Sequence, residues 1–308
     1  MSEIAFYIAK TLKNTPLSSA EAERALSIIL SGRATPAQIA VFVYAATLFS
    51  PSASALSGMI KVFIHKIAHK PIKKHKVLEI IDDASIAAAT SFVIASVLDE
   101  NDLKIARYVE NSSLMHKILS EFALPIVADC NIADSFLSNN GVCFLNRTFF
   151  SPPLRHISSL QSEFGINHIL DTLIPFSNPY EPECYLIESN NQNVTNLLKA
   201  SKKAYAIFQN DLIMVCKKNG SPETIKIKSY QKIQNPLKLT VKKMIFSEET
   251  ESIKEVMIKS SAALFAIGKI NSIEEGVAIV KDAIRSGRVL SKVRSAQIST
   301  KILDKTKK

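Results

Sequence analysis

Residues 17–45 read LSSAEAERALSIILSGRATPAQIAVFVYA and contain the signals of two consecutive helices. The first helix is predicted to begin at Ser18, because a serine followed three residues later by Glu21 forms a capping box. Apolar residues then recur at helical spacing, and Gly32 is the kind of residue that ends a helix. One complete, short helix is therefore predicted before the second begins.

The second helix in this stretch is apolar on nearly every side. Thr35 is a typical N-cap, Pro36 suits the first helical position, and the apolar run continues as far as Pro51. A helix without a polar face is expected to be buried against other helices or at a subunit contact. A third helix, 52–69, follows at once, so the N-terminal part of the chain is predicted to be helical.

A tract rich in lysine and histidine, 61–76, comes next and contains Pro71. Because proline interrupts helices, this tract predicts a hinge between two domains. His65 and His69 lie four residues apart, a spacing that can hold a metal ion. Lysines surround them and no glutamate lies between them, so the pattern favours a solvated helix face.

Beyond the hinge, short apolar runs alternate with helical segments. Strand, helix and strand in succession predict a parallel sheet. The predicted fold class is α/β: an all-helical N-terminal domain plus a larger α/β domain with a mixed, partly parallel sheet flanked by helices. The predicted strands are 77–81, 103–109, 141–145, 204–208 and 212–216, the last two as a hairpin or sheet edge; the predicted helices are 85–98, 112–122 and 248–295, the last broken near 268–271. The predicted domains are 1–74, with a later helix near 151–163 as a candidate addition, then 75–298, then a basic tail, 299–308.

The composition is that of a globular chain. Of 308 residues, 47% are apolar and 21% are charged, which excludes a disordered protein. The N-terminus lacks the features of a signal peptide, and no stretch approaches about 18 consecutive apolar residues. We therefore expect a cytoplasmic protein that does not contact a membrane. The cysteines form no Cys-x-x-Cys pair and are expected to be reduced and buried: Cys130, Cys143, Cys184 and Cys216.

The net charge of +10 is concentrated in the C-terminal half, where 199–243 contains eleven lysines against Asp211 and Glu223. Lysines that neutralise phosphates, with rings on which bases stack, suit a single-stranded nucleic acid. The alternative is a solvated lysine-rich face, since no arginine lies between 156 and 284. The candidate nucleic-acid-binding residues are Lys202, Lys203, Lys217, Lys218, Lys226, Lys228, Lys242 and Lys243, interleaved with Tyr205, Phe208 and Tyr230.

Three segments together resemble the anthranilate phosphoribosyltransferases and their nucleoside phosphorylase relatives, glycosyltransferase family 3. The first is 17–45, similar to the family phrase small-G-x-x-[ST]-x-A-Q-I-A-A-F. The second is 139–179, similar to G-x-x-F-L-F-A-P followed by L-G-x-R-T-x-F-N-x-L-G-P-L-x-N-P. The third is 260–293, which has Ser-Gly-Arg-Val at 286–289 in the place of S-G-K-A.

The resemblance implies an N-terminal domain of the family's helical type and a homodimer formed through helix 36–49 and its neighbours. It also implies a reaction in which an aromatic amine displaces pyrophosphate from phosphoribosyl pyrophosphate, with magnesium. Such a site needs glycines that bring backbone N–H groups close to the diphosphate, cationic side chains, and carboxylates for the metal. The chain has only eight glycines, so close backbone approach to a diphosphate is poorly supported.

The donor side of the site departs from the family pattern. The family's G-T-G-G-D-G loop should follow the first strand, but here Asp82 and Asp83 follow it and no glycine does. Two carboxylates would repel pyrophosphate unless a metal ion intervened. The family's K-H-G-N-R-S motif aligns with 107–112, where Arg107 keeps a cation and Ser112 a hydroxyl. These four residues are predicted to be remnants of a degenerate donor site.

The acceptor and metal motifs also depart from the family pattern. Asn167 stands where the family has a substrate-binding arginine, whereas Asn178 matches the family, so both are predicted to belong to a degenerate acceptor wall. Gly165 and the turn 175–179 are expected to be kept for chain geometry. The family's metal-binding Asp-Glu pair falls on 210–214, where only Asp211 is acidic.

These departures predict a protein without catalytic residues, metal or cofactor, which has lost phosphoribosyl transfer and acts by binding, with nucleic acid as the candidate ligand. The alternative is an active transferase with an altered donor or acceptor. It would need Asp82, Asp83 or Asp211 to hold magnesium and Arg107 to hold phosphate. A scaffold for another protein is a third possibility, on which the sequence offers no evidence.

Overall fold

The structure, a computed structural model, describes residues 2–64, 74–82, 84–99, 102–109, 113–157, 163, 168–190, 192–209, 212–226 and 251–306. The chain divides into two compact units. The helical unit comprises 1–72, 147–181 and 191–201; the sheet unit comprises 73–146, 182–190 and 202–308. The helical unit thus draws on three stretches of chain, and the domain boundaries after residues 74 and 298 stay predictions.

The predicted fold class is confirmed, with helices in both units and one mixed sheet. The helices are α1 (Glu3–Leu12), α2 (Ser19–Leu30), α3 (Pro36–Phe49), α4 (Ala53–Val62), α5 (Ala84–Val97), α6 (Leu114–Glu121), α7 (Cys130–Asn140), α8 (Arg147–Phe150), α9 (Ile169–Leu173), α10 (Gln192–Ser201), α11 (Glu251–Ala266), α12 (Ile273–Arg285) and α13 (Arg288–Thr306). The strands are β1 (Val77–Ile81), β2 (Lys104–Val109), β3 (Ile126–Val127), β4 (Val142–Asn146), β5 (Cys184–Glu188), β6 (Ala204–Gln209), β7 (Leu212–Cys216) and β8 (Glu223–Lys226). Among the described residues, no helix combines the length and apolarity needed to cross a bilayer.

The N-terminal helices begin where the capping signals predict. The Ser18 hydroxyl accepts a hydrogen bond from the backbone N–H of Glu21 at 3.2 Å, and the Glu21 carboxylate accepts one from the Ser18 N–H at 2.9 Å. Thr35 forms the same reciprocal box with Gln38. Helix α4 crosses α2 at Gly58, where an added Cβ would lie 2.1 Å from the Ser19 carbonyl oxygen. Only glycine permits so close an approach of the two backbones.

The sheet has eight strands in the order β3-β4-β2-β1-β5-β6-β7-β8. Strands β1 to β6 pair in parallel, whereas β7 and β8 are antiparallel additions, so 204–216 is the hairpin that the sequence predicts. Helix α5 covers the sheet and is buried throughout 86–95, which explains why it has no polar face.

The C-terminal stretch contains three helices separated at two glycines. Gly268 and Gly287 both have φ of +77°, in the left-handed region that favours glycine at a helix end. The break near 268–271 is therefore confirmed, and a second break follows Arg285. The segment predicted as a basic tail, 299–308, is helical as far as Thr306.

The order of strands reverses direction at β1. The chain passes from β1 to β2 on one side, and later returns to place β5 on the other side of β1. In doubly wound sheets, ligands bind outside the carboxyl ends of the strands at this kind of reversal. The carboxyl ends of β1 and β5 are therefore where a binding site is expected.

Candidate functional site

A buried lysine lies at the carboxyl ends of β1 and β5. The ammonium of Lys259 is 2.6 Å from Asp82 Oδ2, 2.7 Å from Glu255 Oε1 and 2.9 Å from Glu188 Oε2. The Lys259 side chain is 1% exposed and that of Asp82 2%. We name these four residues the lysine–carboxylate cluster.

Three elements bring the cluster together. Asp82 is the first residue after β1, and Glu188 is the last residue of β5, beside it in the parallel pairing. Helix α11 carries Glu255 and Lys259 one turn apart and packs against β5 and β6. Spaced four residues apart, they project from the same face of the helix. The Lys259 ammonium also lies 5.6 Å from the centre of the Phe208 ring.

Burial dominates the electrostatics of the cluster. If every group were ionised, three carboxylates and one ammonium would carry a net charge of 1 − 3 = −2. Burial raises the pKa of Asp82 from its ordinary 3.8 to about 7; Lys259 opposes this increase, and Glu188 adds to it. Asp82 therefore retains a proton well above the pH at which an exposed aspartate would lose it. Arg107 Nη2 donates a hydrogen bond to the Asp82 carbonyl oxygen at 2.9 Å, which brings a further positive charge close.

Asp82 is paired with the Lys259 ammonium at 2.6 Å, and the repulsion expected between its carboxylate and a diphosphate stays a prediction. Arg107 lies beside Asp82, and the role of both as remnants of a donor site stays a prediction. Asp83 and Ser112 lie outside the described residues.

On the acceptor side, Asn178 is buried in the helical unit. Its Oδ1 accepts a hydrogen bond from the backbone N–H of Tyr180 at 3.0 Å, a local turn that agrees with a role in chain geometry. Asn167, Gly165 and Asp211 lie outside the described residues, and so do His65 and His69.

Four of the candidate lysines lie on the opposite side of the sheet from the cluster, where the parallel strands have their amino ends. We call this side the amino edge. Lys202 and Lys203 precede β6, and Lys217 and Lys218 follow β7, which runs antiparallel to β6. The N–H of Asn219 donates to the Lys202 carbonyl oxygen at 3.3 Å, which ties the two turns together. Lys202, Lys217 and Lys218 are exposed; we name these three the amino-edge lysines.

The remaining candidate lysines differ from these three. Lys203 donates to the Pro182 carbonyl oxygen at 2.7 Å and lies 5.5 Å from the centre of the Tyr185 ring. Lys226 is exposed, but pairs with Leu212 at the other end of β7, five residues and so roughly 17 Å from Lys217 at about 3.4 Å per residue. Lys228, Lys242 and Lys243 lie outside the described residues.

The expectation that Tyr205 and Phe208 offer rings to bases is wrong. Both are 1% exposed, because β6 is an interior strand whose two faces are covered. Tyr230 lies outside the described residues. The described part of this surface therefore offers charge without base stacking.

The sequence reasoning missed Glu188, Glu255 and Lys259. Glu188 was missed because β5, the strand that ends with it, was not predicted. A signal for the other two was present, since the Glu-x-x-x-Lys pair runs into the small, apolar segment 260–266. A lysine next to such a segment is more often buried than a lysine on a polar helix face.

The cluster does not fit magnesium while Lys259 is in place. Carboxylate oxygens are the ligands that magnesium prefers, at about 2.0–2.1 Å. The Lys259 ammonium already contacts one oxygen of each carboxylate within 2.9 Å, so it occupies the space that an ion bridging them would need.

The cysteines form no disulfide in the part of the chain that the structure describes. All four are free; Cys143, Cys184 and Cys216 are buried, as predicted, whereas Cys130 is partly exposed. Burial raises the pKa of Cys143 and Cys184 well above that of an ordinary thiol, so both remain protonated.

Comparisons with known proteins agree with the fold. Residues 6–67 match the helical bundle domain of the glycosyl transferase family. The anthranilate phosphoribosyltransferase of Petrotoga mobilis is 22% identical over 326 residues, 94% of each chain, and that of Acetivibrio thermocellus is 23% identical over 333 residues, 93% of each chain.

Solved structures agree as well. Anthranilate phosphoribosyltransferase from Thermus thermophilus superposes with a TM-score of 0.77 at 16% identity, covering 96% of this chain and 99% of its own. The Saccharomyces cerevisiae enzyme in complex with PRPP and Mg gives a TM-score of 0.72 at 14% identity, covering 97% and 99%. This chain is thus similar in sequence and in fold to anthranilate phosphoribosyltransferases, and its N-terminal residues 6–67 match a glycosyl transferase family helical bundle.

Proposed function

We propose that this chain does not transfer phosphoribosyl groups and acts by binding. The observation that carries this proposal is the Lys259 side chain, which fills the carboxyl ends of β1 and β5 and is 1% exposed. Its relatives are named for a reaction with a phosphoribosyl donor. A donor with several negative charges needs open backbone N–H groups and a metal ion at such a position.

The immediate surroundings of Lys259 support the same conclusion. The residue that follows β1 is a buried aspartate rather than a glycine, so a carboxylate side chain stands where a glycine would leave the backbone open. Glu255, also buried, adds a second carboxylate beside it. A diphosphate at this edge would meet carboxylates at close range, and the nearest ammonium is already shared among them.

Calorimetric titration with phosphoribosyl pyrophosphate and magnesium tests the proposal. We expect no saturable heat up to millimolar donor, whereas the Thermus thermophilus enzyme, titrated in parallel, should bind. A micromolar dissociation constant for this chain would instead support the alternative, an active transferase with an altered donor or acceptor. An assay of pyrophosphate release with anthranilate then separates donor binding from turnover.

We further propose that the ligand is a single-stranded nucleic acid, held by its phosphates. The specific observation is the grouping of the amino-edge lysines around two adjoining turns. Lys217 lies 4.4 Å from the centre of the Phe265 ring and Lys218 is 3.0 Å from Glu183, yet both remain exposed. Because the described rings on β6 are buried, binding through this surface should depend on charge and not on sequence.

Salt dependence of binding tests this second proposal. Replacing the three amino-edge lysines by glutamine should lower the slope of log K against log salt by about 2 for single strands, at about 0.7 per phosphate contact. Lys226→Gln is the matched control, because it removes an exposed lysine from the other end of β7. Equal slopes for the triple variant and the wild type, or no binding of an oligonucleotide at low salt, would refute the proposal.

We also propose that the chain forms a homodimer through α1 and α3. Large apolar side chains on these two packed helices are exposed, including Phe6 (55%), Tyr44 (54%) and Leu48 (60%). Val41 is exposed too, and its spacing from Tyr44 and Leu48 places the three on one face of α3. Such a contiguous apolar face is typical of a surface that is covered in solution.

Light scattering over a range of protein concentrations tests the association. The wild type should have the mass of a dimer, and Tyr44→Lys with Leu48→Lys should have the mass of a monomer at the same concentration. Ser54→Lys, an exposed substitution on α4, controls for the added charge and should leave the dimer intact. A wild type that is monomeric at every concentration would refute the proposal.

A further inference from the structure

The lysine–carboxylate cluster has the arrangement of ligands around a bound cation. One oxygen from each of Asp82, Glu188 and Glu255 lies within 4.8 Å of the other two. The Lys259 ammonium is within 2.9 Å of all three carboxylates. Oxygens from three separate elements thus converge on a single positive charge.

We propose that the Lys259 ammonium is the resident cation of a three-carboxylate site, in the place of a divalent metal ion. Removal of the ammonium should open this site to Mn²⁺ or Mg²⁺. The ligands would be Asp82, Glu188 and Glu255, a set of hard oxygen donors suited to these ions. This proposal goes beyond the loss of phosphoribosyl transfer, because it assigns a cation site whether or not the chain binds a donor.

Charge balance explains why a divalent ion should enter. Without Lys259, the Asp82 and Glu255 carboxylates, whose side chains are 2% and 6% exposed, would lose the ammonium that contacts them at 2.6 and 2.7 Å. Uncompensated buried carboxylates must take up protons or bind a cation. A divalent ion would replace one positive charge by two and so reduce the excess negative charge of the cluster.

Position in the fold is an independent reason to expect a ligand here. The three oxygens lie at the ends of β1 and β5 and on the helix that packs over them, at the reversal of strand order. Doubly wound sheets place their ligands at this point. Lys259, on α11, supplies the positive charge at this position from within the chain, so no external cation is needed.

Manganese binding to Lys259→Met tests the proposal. Methionine keeps an unbranched apolar side chain of similar length and removes the charge. We expect this variant to bind one Mn²⁺ per chain at least 100-fold more tightly than the wild type, measured by electron paramagnetic resonance and calorimetry at neutral pH. Lys218→Met removes an ion-paired lysine from the amino edge and should give no gain in affinity.

A double variant identifies the ligands. Adding Glu255→Gln to Lys259→Met should weaken Mn²⁺ binding at least 10-fold relative to Lys259→Met alone, because it removes one charged ligand. Equal Mn²⁺ affinity in the wild type and Lys259→Met would refute the proposal. So would an affinity gain that survives in the double variant.

If Lys259→Met folds poorly, thermal melting provides a second test of Mn²⁺ binding. An ion that binds the folded state alone stabilises it by an amount that grows with the logarithm of its concentration over its dissociation constant once that ratio is well above one. Mn²⁺ should therefore raise the melting temperature of Lys259→Met, or restore its cooperative transition, and should leave that of Lys218→Met unchanged. A variant that stays unfolded at millimolar Mn²⁺ counts against the proposal. None of these results depends on donor titration of the wild type, so the two proposals fail separately.

Discussion

Lysines are buried at the carboxyl edge of the sheet and exposed at its amino edge. At the carboxyl edge, Lys259 is buried among three carboxylates, whereas at the amino edge Lys202, Lys217 and Lys218 are exposed. The same residue type is buried at one edge and exposed at the other. A high lysine count therefore does not by itself indicate a binding surface, and burial decides which lysines can take part in one.

The largest expected difference between the edges is in stability. Lys259→Met leaves buried carboxylates without their ammonium, and breaking a buried ion pair by removing one partner costs about 3–5 kcal/mol. Lys218→Met removes an ion pair with Glu183 whose side chains are 57% and 36% exposed, and exposed pairs contribute about 0–1 kcal/mol. Urea unfolding at neutral pH, without divalent ions, measures both free energies.

The Lys259 and Lys218 variants control for each other, since each loses one positive charge and gains the same side chain. A similar loss of stability in both would mean that the cluster is hydrated in solution, and the contrast between the edges would disappear. Lys259→Arg should not restore the full stability of the wild type, because its planar guanidinium cannot direct donors toward three converging oxygens as an ammonium can.

An effect of similar size is expected from pH. The pKa of Asp82 is raised by burial from 3.8 to about 7, while Lys259 lowers it and Glu188 raises it further. The folded state therefore holds a proton that the unfolded state releases near pH 4. The stability that Asp82 contributes is present below about pH 4 and is lost as the pH rises to about 7. At about 1.4 kcal/mol per pH unit, this loss amounts to about 4 kcal/mol.

Asp82→Asn isolates the pH-dependent contribution of Asp82 to stability, because asparagine does not titrate. The unfolding free energy of Asp82→Asn minus that of the wild type should increase from pH 4 to pH 7 and stay level above it. Glu188, Glu255, Lys259 and Arg107 also face this position, and they remain in both proteins. A difference that is constant between pH 4 and pH 7 would show that Asp82 ionises normally.

Much of the fold could be predicted because its signals are local. The capping boxes at Ser18 and Thr35 fix the starts of α2 and α3 through contacts within three residues. Strands β1, β2, β4, β6 and β7 are recognisable as short apolar runs. Strands β3, β5 and β8 were not predicted. With two and four residues, β3 and β8 are defined by pairing with neighbours and not by their own pattern, whereas the apolar run in β5 was a signal that could have been recognised.

The candidate site could be predicted only in part. Asp82 is assigned to the end of a central strand because the run Val77–Ile81 is apolar and stops there. Lys259 is 177 residues away in sequence, and its contact with Asp82 exists only once α11 packs on the sheet. The charge pair on α11 looks like a surface pair at i and i+4, the usual setting for such a spacing. Only the tertiary structure shows that it is buried.

The smallest expected effect separates two adjacent lysines at the amino edge. Lys203→Met removes the hydrogen bond to the Pro182 carbonyl oxygen at 2.7 Å and the contact with the Tyr185 ring, which should cost about 1–2 kcal/mol of unfolding free energy. Lys202→Met should change stability by less than about 0.5 kcal/mol, as an exposed position does. For oligonucleotide binding the order should reverse: the salt slope should fall for Lys202→Met and not for Lys203→Met, because only the former is free to meet a phosphate. If Lys203→Met lowered the slope as much as Lys202→Met does, burial would not be what distinguishes the lysines that bind from those that stabilise.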